Sequence, residues 1–175
     1  MTRMKATGVL MVAALGFWAM PVSAQSEADV EEVIGTFQEG DPGMRGWFAE
    51  AYGYAVFPVI GKIGFGLGGA RGRGLVYEQG RLVGKSTLTQ VTVGFQWGGQ
   101  EFSEVIFFKD KAAFDHFTGG NFELGAQVSA VALKTGVSGT LAYSGGVAVI
   151  TATKAGLMYE ATIGGQKFNY EAIGR

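Results

Sequence analysis

Lysine and arginine set among glycines are the side chains of this sequence best placed to do chemistry. Half of the residues from Gly61 to Gly74 are glycine, and the run also holds Lys62, Arg71 and Arg73. It follows Tyr54-Ala-Val-Phe-Pro-Val-Ile60 and precedes Leu75-Val-Tyr77, both of which read as strand. Glycine at this density strips side-chain cover from the backbone, which commonly means that another backbone or a ligand comes close. Backbone N–H groups beside cations are the parts of an anion cradle. The expected anion site therefore comprises Lys62, Arg71, Arg73, Arg81 and Lys85. Gly68, Gly69 and Gly72 would supply the bare main chain, and Phe65 an apolar anchor.

Other patterns carry less chemistry. Gly64-Phe-Gly66-Leu-Gly-Gly69 has the spacing of a dinucleotide loop, but that loop must open a helix, and here another strand follows. Gly80-Arg-Leu-Val-Gly84-Lys85-Ser86 is one residue short of a phosphate-binding P-loop and reads as a hairpin strand after a turn at Gln79–Arg81. His116 is the only histidine, and its neighbour Asp115 would point to another side of a helix. Glu101 and Glu104, beside Gln96 and Gln100, form the best polar group near an aromatic strand and read as structural hydrogen-bonding residues. The carboxylates lack metal-ligand spacing, and no serine sits in a nucleophile elbow. The expectation is a binding protein, with no catalytic residues, metal or cofactor.

These residues need a scaffold, and the periodicity supplies one. Residues 1–24 read as an export signal: Arg3 and Lys5, an uncharged stretch from Ala6 to Met20, and the small-residue site Val22-Ser-Ala24. Residues 25–175 then form a single domain that is exported, either periplasmic or secreted and peripheral to a membrane. There is no cysteine, so the fold rests on packing. Ser26 caps a helix to about Gln38, with Val30, Ile34 and Phe37 as its stripe, and Asp41-Pro42 starts a second helix to about Tyr52. Strand patterns follow at Tyr54–Ile60, around Val91–Trp97, at Val105–Phe108, from Phe122 through Ala130, near Val147–Thr153, at Leu157–Ile163 and through Phe168 and Tyr170. A short helix capped by Asp110 interrupts them. The expected class is α+β: mainly antiparallel sheet, two N-terminal helices, one short helix between strands.

Charge narrows the partner. Without Arg3 and Lys5 the chain carries 12 basic and 15 acidic residues, yet the segment from Gly61 to Lys85 is net +4. An acidic protein with one basic segment fits an anionic group or surface, not nucleic acid.

Blocks of sequence add a resemblance. Gly53-Tyr-Ala-Val-Phe-Pro58, Lys62-x-Gly64-Phe, Gly68-Gly69 and Gly72-x-Gly74-Leu-Val resemble the signature of SYLF domains, lipid-binding modules of bacteria and eukaryotes. Gly94-Phe-Gln96-Trp-Gly98-Gly-Gln100 with Glu104-Val-Ile-Phe107, Phe122 to Ser129, and Lys154-Ala-Gly156-Leu-Met158 resemble the later blocks. The resemblance implies an antiparallel α+β fold and binding of anionic phospholipid, phosphoinositides in eukaryotic members; some fungal relatives also bind actin. Animal members use a basic N-terminal helix at membranes. Here that helix carries Glu27, Asp29, Glu31, Glu32 and Glu39, and an anionic surface would repel it. Two rival expectations are an envelope scaffolding protein that offers Trp47 or Trp97 to a protein partner, and a small outer-membrane barrel built of the alternating strands.

Overall fold

Helix α1 (Glu27–Gly40) starts on a capping box: Ser26 accepts from the Asp29 N–H, and Asp29 in turn accepts from the Ser26 backbone. Helix α2 (Met44–Glu50) is short, and Asp41 closes α1 instead of opening α2, whose N-cap is Gly43. The computed structural model describes residues 26–65, 67–93, 100–125, 128–153 and 165–174. The expected export signal, Trp97 and the pattern Leu157–Ile163 lie outside them.

Among the described residues eight strands form one sheet: β1 (Gly53–Phe65), β2 (Leu67–Glu78), β3 (Arg81–Val93), β4 (Gln100–Phe108), β5 (Phe122–Glu123), β6 (Ala130–Ala132), β7 (Val147–Thr153) and β8 (Lys167–Ala172). Their order is β5-β8-β3-β2-β1-β4-β7-β6. Every pairing is antiparallel except β6 with β7. Helix α3 (Lys111–Thr118), capped by the Asp110 carboxylate on the Ala113 N–H, follows β4. The class is α+β, mostly antiparallel sheet.

The glycine run is strand, not loop. β1 and β2 pair continuously from Gly61 opposite Arg71 to Phe65 opposite Leu67. The expected hairpin at Gln79 is present: Gln79 and Gly80 take φ of 49° and 76°, the left-handed pair of a two-residue turn. Gly84-Lys85-Ser86 lies inside β3, with no helix behind it to hold a phosphate. The alternation from Phe122 to Ala130 is not one strand. It divides into β5 at one edge of the sheet and β6 at the other, and Leu124 and Val128 stay buried on the way across. Alternation reports one buried side, and a chain crossing over a core has one too.

That crossing reveals the shape of the sheet. Seven inter-strand steps of about 4.8 Å would hold flat edges roughly 34 Å apart. The chain from Glu123 to Ala130 reaches roughly 25 Å at full stretch, so the edges must curl toward each other. Phe57 of β1 and Phe168 of β8 meet at 5.5 Å although two strands lie between them. The concave face encloses Phe57, Ile60, Leu88, Phe102, Phe108 and Phe168, closed over by Phe114 and Phe117 of α3. The convex face packs Tyr54, Val56, Leu75, Tyr77 and Phe107 under α1 and α2.

A bulge produces part of the bend. The β1 register slips against β2 between Val56 and Val59 and against β4 between Phe57 and Ile60, so Phe57 and Pro58 together oppose Gly74 of β2. Proline, which has no N–H for the ladder, suits that place. Gly74 is required there, because a Cβ would lie 2.4 Å from the Val56 oxygen and 2.7 Å from the Phe57 ring.

Candidate functional site

Strand parity separates the expected anion site into two faces. Arg71 lies opposite Thr89 and Gly61, Arg73 opposite Thr87 and Val59, and Lys85 opposite Leu75 and Glu171. Directly opposed residues share a face, so Arg71, Arg73 and Lys85 stand together on the convex side. All three are exposed. Arg71 and Arg73 are two residues apart, roughly 7 Å along the strand.

Lys62 is on the other side. It pairs with Ala70, is buried, and holds its Nζ 4.8 Å above the Phe102 ring. Burial pulls its ammonium below the usual lysine range, partly countered by the Glu104 carboxylate. Arg81 is also apart: it faces Glu78 beside the hairpin turn, seven residues or roughly 23 Å along β2 from Arg71.

The glycines do not form an open cradle. β2 lies between β1 and β3, and Gly68, Gly69 and Gly72 have ladder partners on both sides. Their N–H groups serve the sheet and leave none for a phosphate. Gly72 is buried, and a Cβ there would sit 2.7 Å from Ile60 Cγ1. This density of glycine allows the curled strands to pack closely. Phe65 takes the register position opposite Leu67 at the hairpin tip, and its side chain lies outside the described residues.

What remains among the described residues is an exposed sheet face bearing cations. α1 and α2 cover the convex side only over its Leu75–Tyr77 end. Beyond them the surface presents Arg71, Arg73, Lys85, Thr87 and Thr89, together with Val59 and Val91, which are 38% and 75% exposed. Its margins are less basic. Lys167, opposite Thr89, sits 3.7 Å from Glu123, while Glu101 and Glu171 lie in the same register rows.

A second feature lies at the helix-covered end. Gly43, Trp47, Glu50, Lys109, Ser138 and Tyr143 line an open cleft of about 430 Å³. Its walls are tied together. The buried Asp41 carboxylate accepts from the N–H groups of Ser138 at 2.7 Å and Gly43 at 3.1 Å, and the Trp47 indole donates to the Ser138 oxygen at 3.1 Å. The Ser138 hydrogen bond is the main reason the Asp41 carboxyl is held below its usual range. Trp47 and Tyr143 rings stand 5.0 Å apart at the rim.

The other sequence candidates separate just as clearly. His116 is exposed on α3 with its ring edge-on to Phe122. Glu101 is exposed, whereas Glu104 is wholly buried and accepts from Gln166 Nε2 at 3.1 Å. The sequence reading missed Gln166, which lies 62 residues further on in a segment that shows only a turn pattern. Among the described residues no three His, Cys, Asp or Glu side chains are grouped to hold a metal ion, and no helix is long and apolar enough to cross a membrane.

The helices, the curled sheet and its exposed cations define a helix-backed α+β domain with one cationic face. Residues 89–171 match the family described as Ysc84, Las17-binding protein actin regulator. Over 139 residues, 78% of its length, the chain is 34% identical to Beta cell expansion factor A of Aeromonas veronii. Residues 89–171 thus carry the match to this family, the one that the SYLF-like blocks resemble. The chain spans about half (52%) of that relative's length. The family match takes in Glu104 and Gln166 and begins beyond Arg71, Arg73 and Lys85.

Proposed function

We propose that this protein binds anionic phospholipid headgroups on its bare convex sheet face, through Arg71, Arg73 and Lys85 and without a catalytic step. One observation carries the reading: three exposed cations share an uncovered face with the exposed Val59 and Val91. Each cation near an anionic surface contributes about 1 kcal/mol, so the three give about 3 kcal/mol before screening. That amounts to reversible, salt-sensitive docking. Lys62 and Arg81 take no part in this revised site. In this reading residues 1–24 direct export and the docking occurs at the cell envelope. A transmembrane barrel fits less well, because this outer face carries helices and charges where a barrel presents an apolar band.

Co-sedimentation with phosphatidylcholine vesicles, with and without phosphatidylserine, tests it. Arg71→Ala with Arg73→Ala removes about 2 kcal/mol, up to roughly 30-fold in binding at low salt and several-fold at physiological salt. Unchanged binding by the double variant, or equal binding to neutral vesicles, rejects the site.

A second reading rests on the cleft beside Trp47. An aromatic rim next to Lys109 and Glu50 suits a protein partner, and the family description itself names a protein-binding activity. A lipid-independent complex with one envelope protein, abolished by Trp47→Ala, would favour it.

A further inference from the structure

Glu104 occupies a place where a carboxylate is poorly served. It is wholly buried on the concave face in mid-β4, and its only hydrogen bond among the described residues is the one from Gln166 Nε2 to its Oε2. Glu104 Oε1 and Gln166 Oε1 are both buried without a hydrogen-bond partner. Two facing groups therefore each keep one unsatisfied acceptor, which is costly in a site shut off from water. A proton on the carboxyl removes both deficits at once. A neutral carboxylic acid and a primary carboxamide can form a closed pair of hydrogen bonds, each donating one and accepting one.

The surroundings favour the neutral form. β7 sets Thr151 opposite Glu104 in register, and β3 places Ser86 and Gln90 on the same concave face. None of these carries charge. α3 contributes Phe114 and Phe117 to this core, while its Asp115 and His116 are exposed. Among the described residues the one charged group acting on Glu104 is Lys62 of β1, and the two are not within ion-pair distance. Burial raises the carboxyl to about 7, outweighing the lowering pulls of Gln166 and Lys62.

We propose that Glu104 is a proton-binding clasp: its protonated carboxyl donates from Oε1 to Gln166 Oε1 while accepting from Gln166 Nε2, tying the entrance of β8 to mid-β4 across the curl of the sheet. Across the sheet the strands run β8-β3-β2-β1-β4, so this link joins strands four steps apart. When the carboxyl loses its proton to solvent, the pair keeps one hydrogen bond and a buried negative charge, and the start of β8 loosens. The clasp makes curvature of the sheet sensitive to pH near neutrality.

Two measurements on the intact chain test the clasp. The first is the titration of the Glu104 side-chain carboxyl by carbon-13 NMR, with Glu104→Gln supplying the assignment. A midpoint well above the ordinary glutamate value is expected. A midpoint in the ordinary range shows that water or another group satisfies the orphan oxygens, and overturns the proposal. The second is amide hydrogen exchange across Lys167–Ala172 at about pH 5.5 and about pH 8.5, corrected for intrinsic exchange. Protection in the wild type should fall at least severalfold at the higher pH. Glu104→Gln keeps a two-bond pair that cannot ionise, so its protection should stay constant. Parallel behaviour of wild type and variant overturns the proposal, even if the carboxyl titrates high.

Discussion

Replacing Glu104 by glutamine should change how the stability of the whole fold depends on pH, by an amount the structure allows to be worked out. The carboxyl titrates from 4.5 in the unfolded chain to about 7 in the fold. Between those values the folded state holds a proton that the unfolded state has released. Stability therefore falls as pH rises through this window, is flat below it, and reaches its lowest contribution above about 7. At 1.36 kcal/mol per unit the full swing is about 3 kcal/mol, or roughly 6–12 °C in Tm for a domain of this size. Glutamine cannot ionise, so the difference between variant and wild type isolates this group. Asp29 and Asp41, both held low by hydrogen bonds, act in the opposite sense under more acid conditions and are common to the two proteins. Lys62, held low by burial, affects only the alkaline side, where its early loss of a proton makes stability rise with pH. Thermal unfolding followed by circular dichroism from about pH 4.5 to 8 should show the variant gaining on the wild type up to neutrality and then running parallel to it. Parallel curves throughout would mean that Glu104 is solvated or paired in the fold, and the reasoning would be refuted.

Other consequences concern packing and caps. Gly74→Ala places a Cβ against the Val56 oxygen and the Phe57 ring and should cost about 1–3 kcal/mol in urea unfolding. Gly61→Ala meets nothing within 4 Å and should change the midpoint little. Equal effects at the two positions would show that the bend does not depend on close approach at the bulge. Asp41→Ala removes the acceptor that ties the Gly43 and Ser138 amides together, and should lower Tm more than Asp41→Asn, which keeps an acceptor oxygen. It should also weaken any ligand of the Trp47 cleft, as read by Trp47 fluorescence, and the same loss from Asp41→Asn would count against an anchoring role for the acceptor.

Local signals were legible in proportion to how local their causes are. Ser26, Asp110 and the Gln79–Gly80 turn act within three or four residues, and each does in the fold what its type suggests. The glycine run reads as uncovered main chain because composition shows what side chains are missing and not what replaces them. Here the replacement is the neighbouring strand. Lys62 and Arg71 look alike in sequence, but register alone sends one inward and the other outward. Phe122 to Ala130 illustrates a different limit: a two-residue period identifies a buried side without identifying a ladder. The Glu104–Gln166 contact depends on how far the sheet curls, a property of the whole strand set that no window of residues contains.

The position of β8 has a consequence for how the molecule is made. The last strand is not appended to the sheet but inserted between β3 and β5. Until it arrives, β3 has an unpaired edge, β5 has no neighbour, and Phe57 lacks the ring that faces it. A chain emerging from its N-terminus can thus complete the β1–β2–β3 meander early, yet the concave core stays open to water to the end. Closing that core waits on β8, and chains cut short of it should be more open to chaperones and proteases.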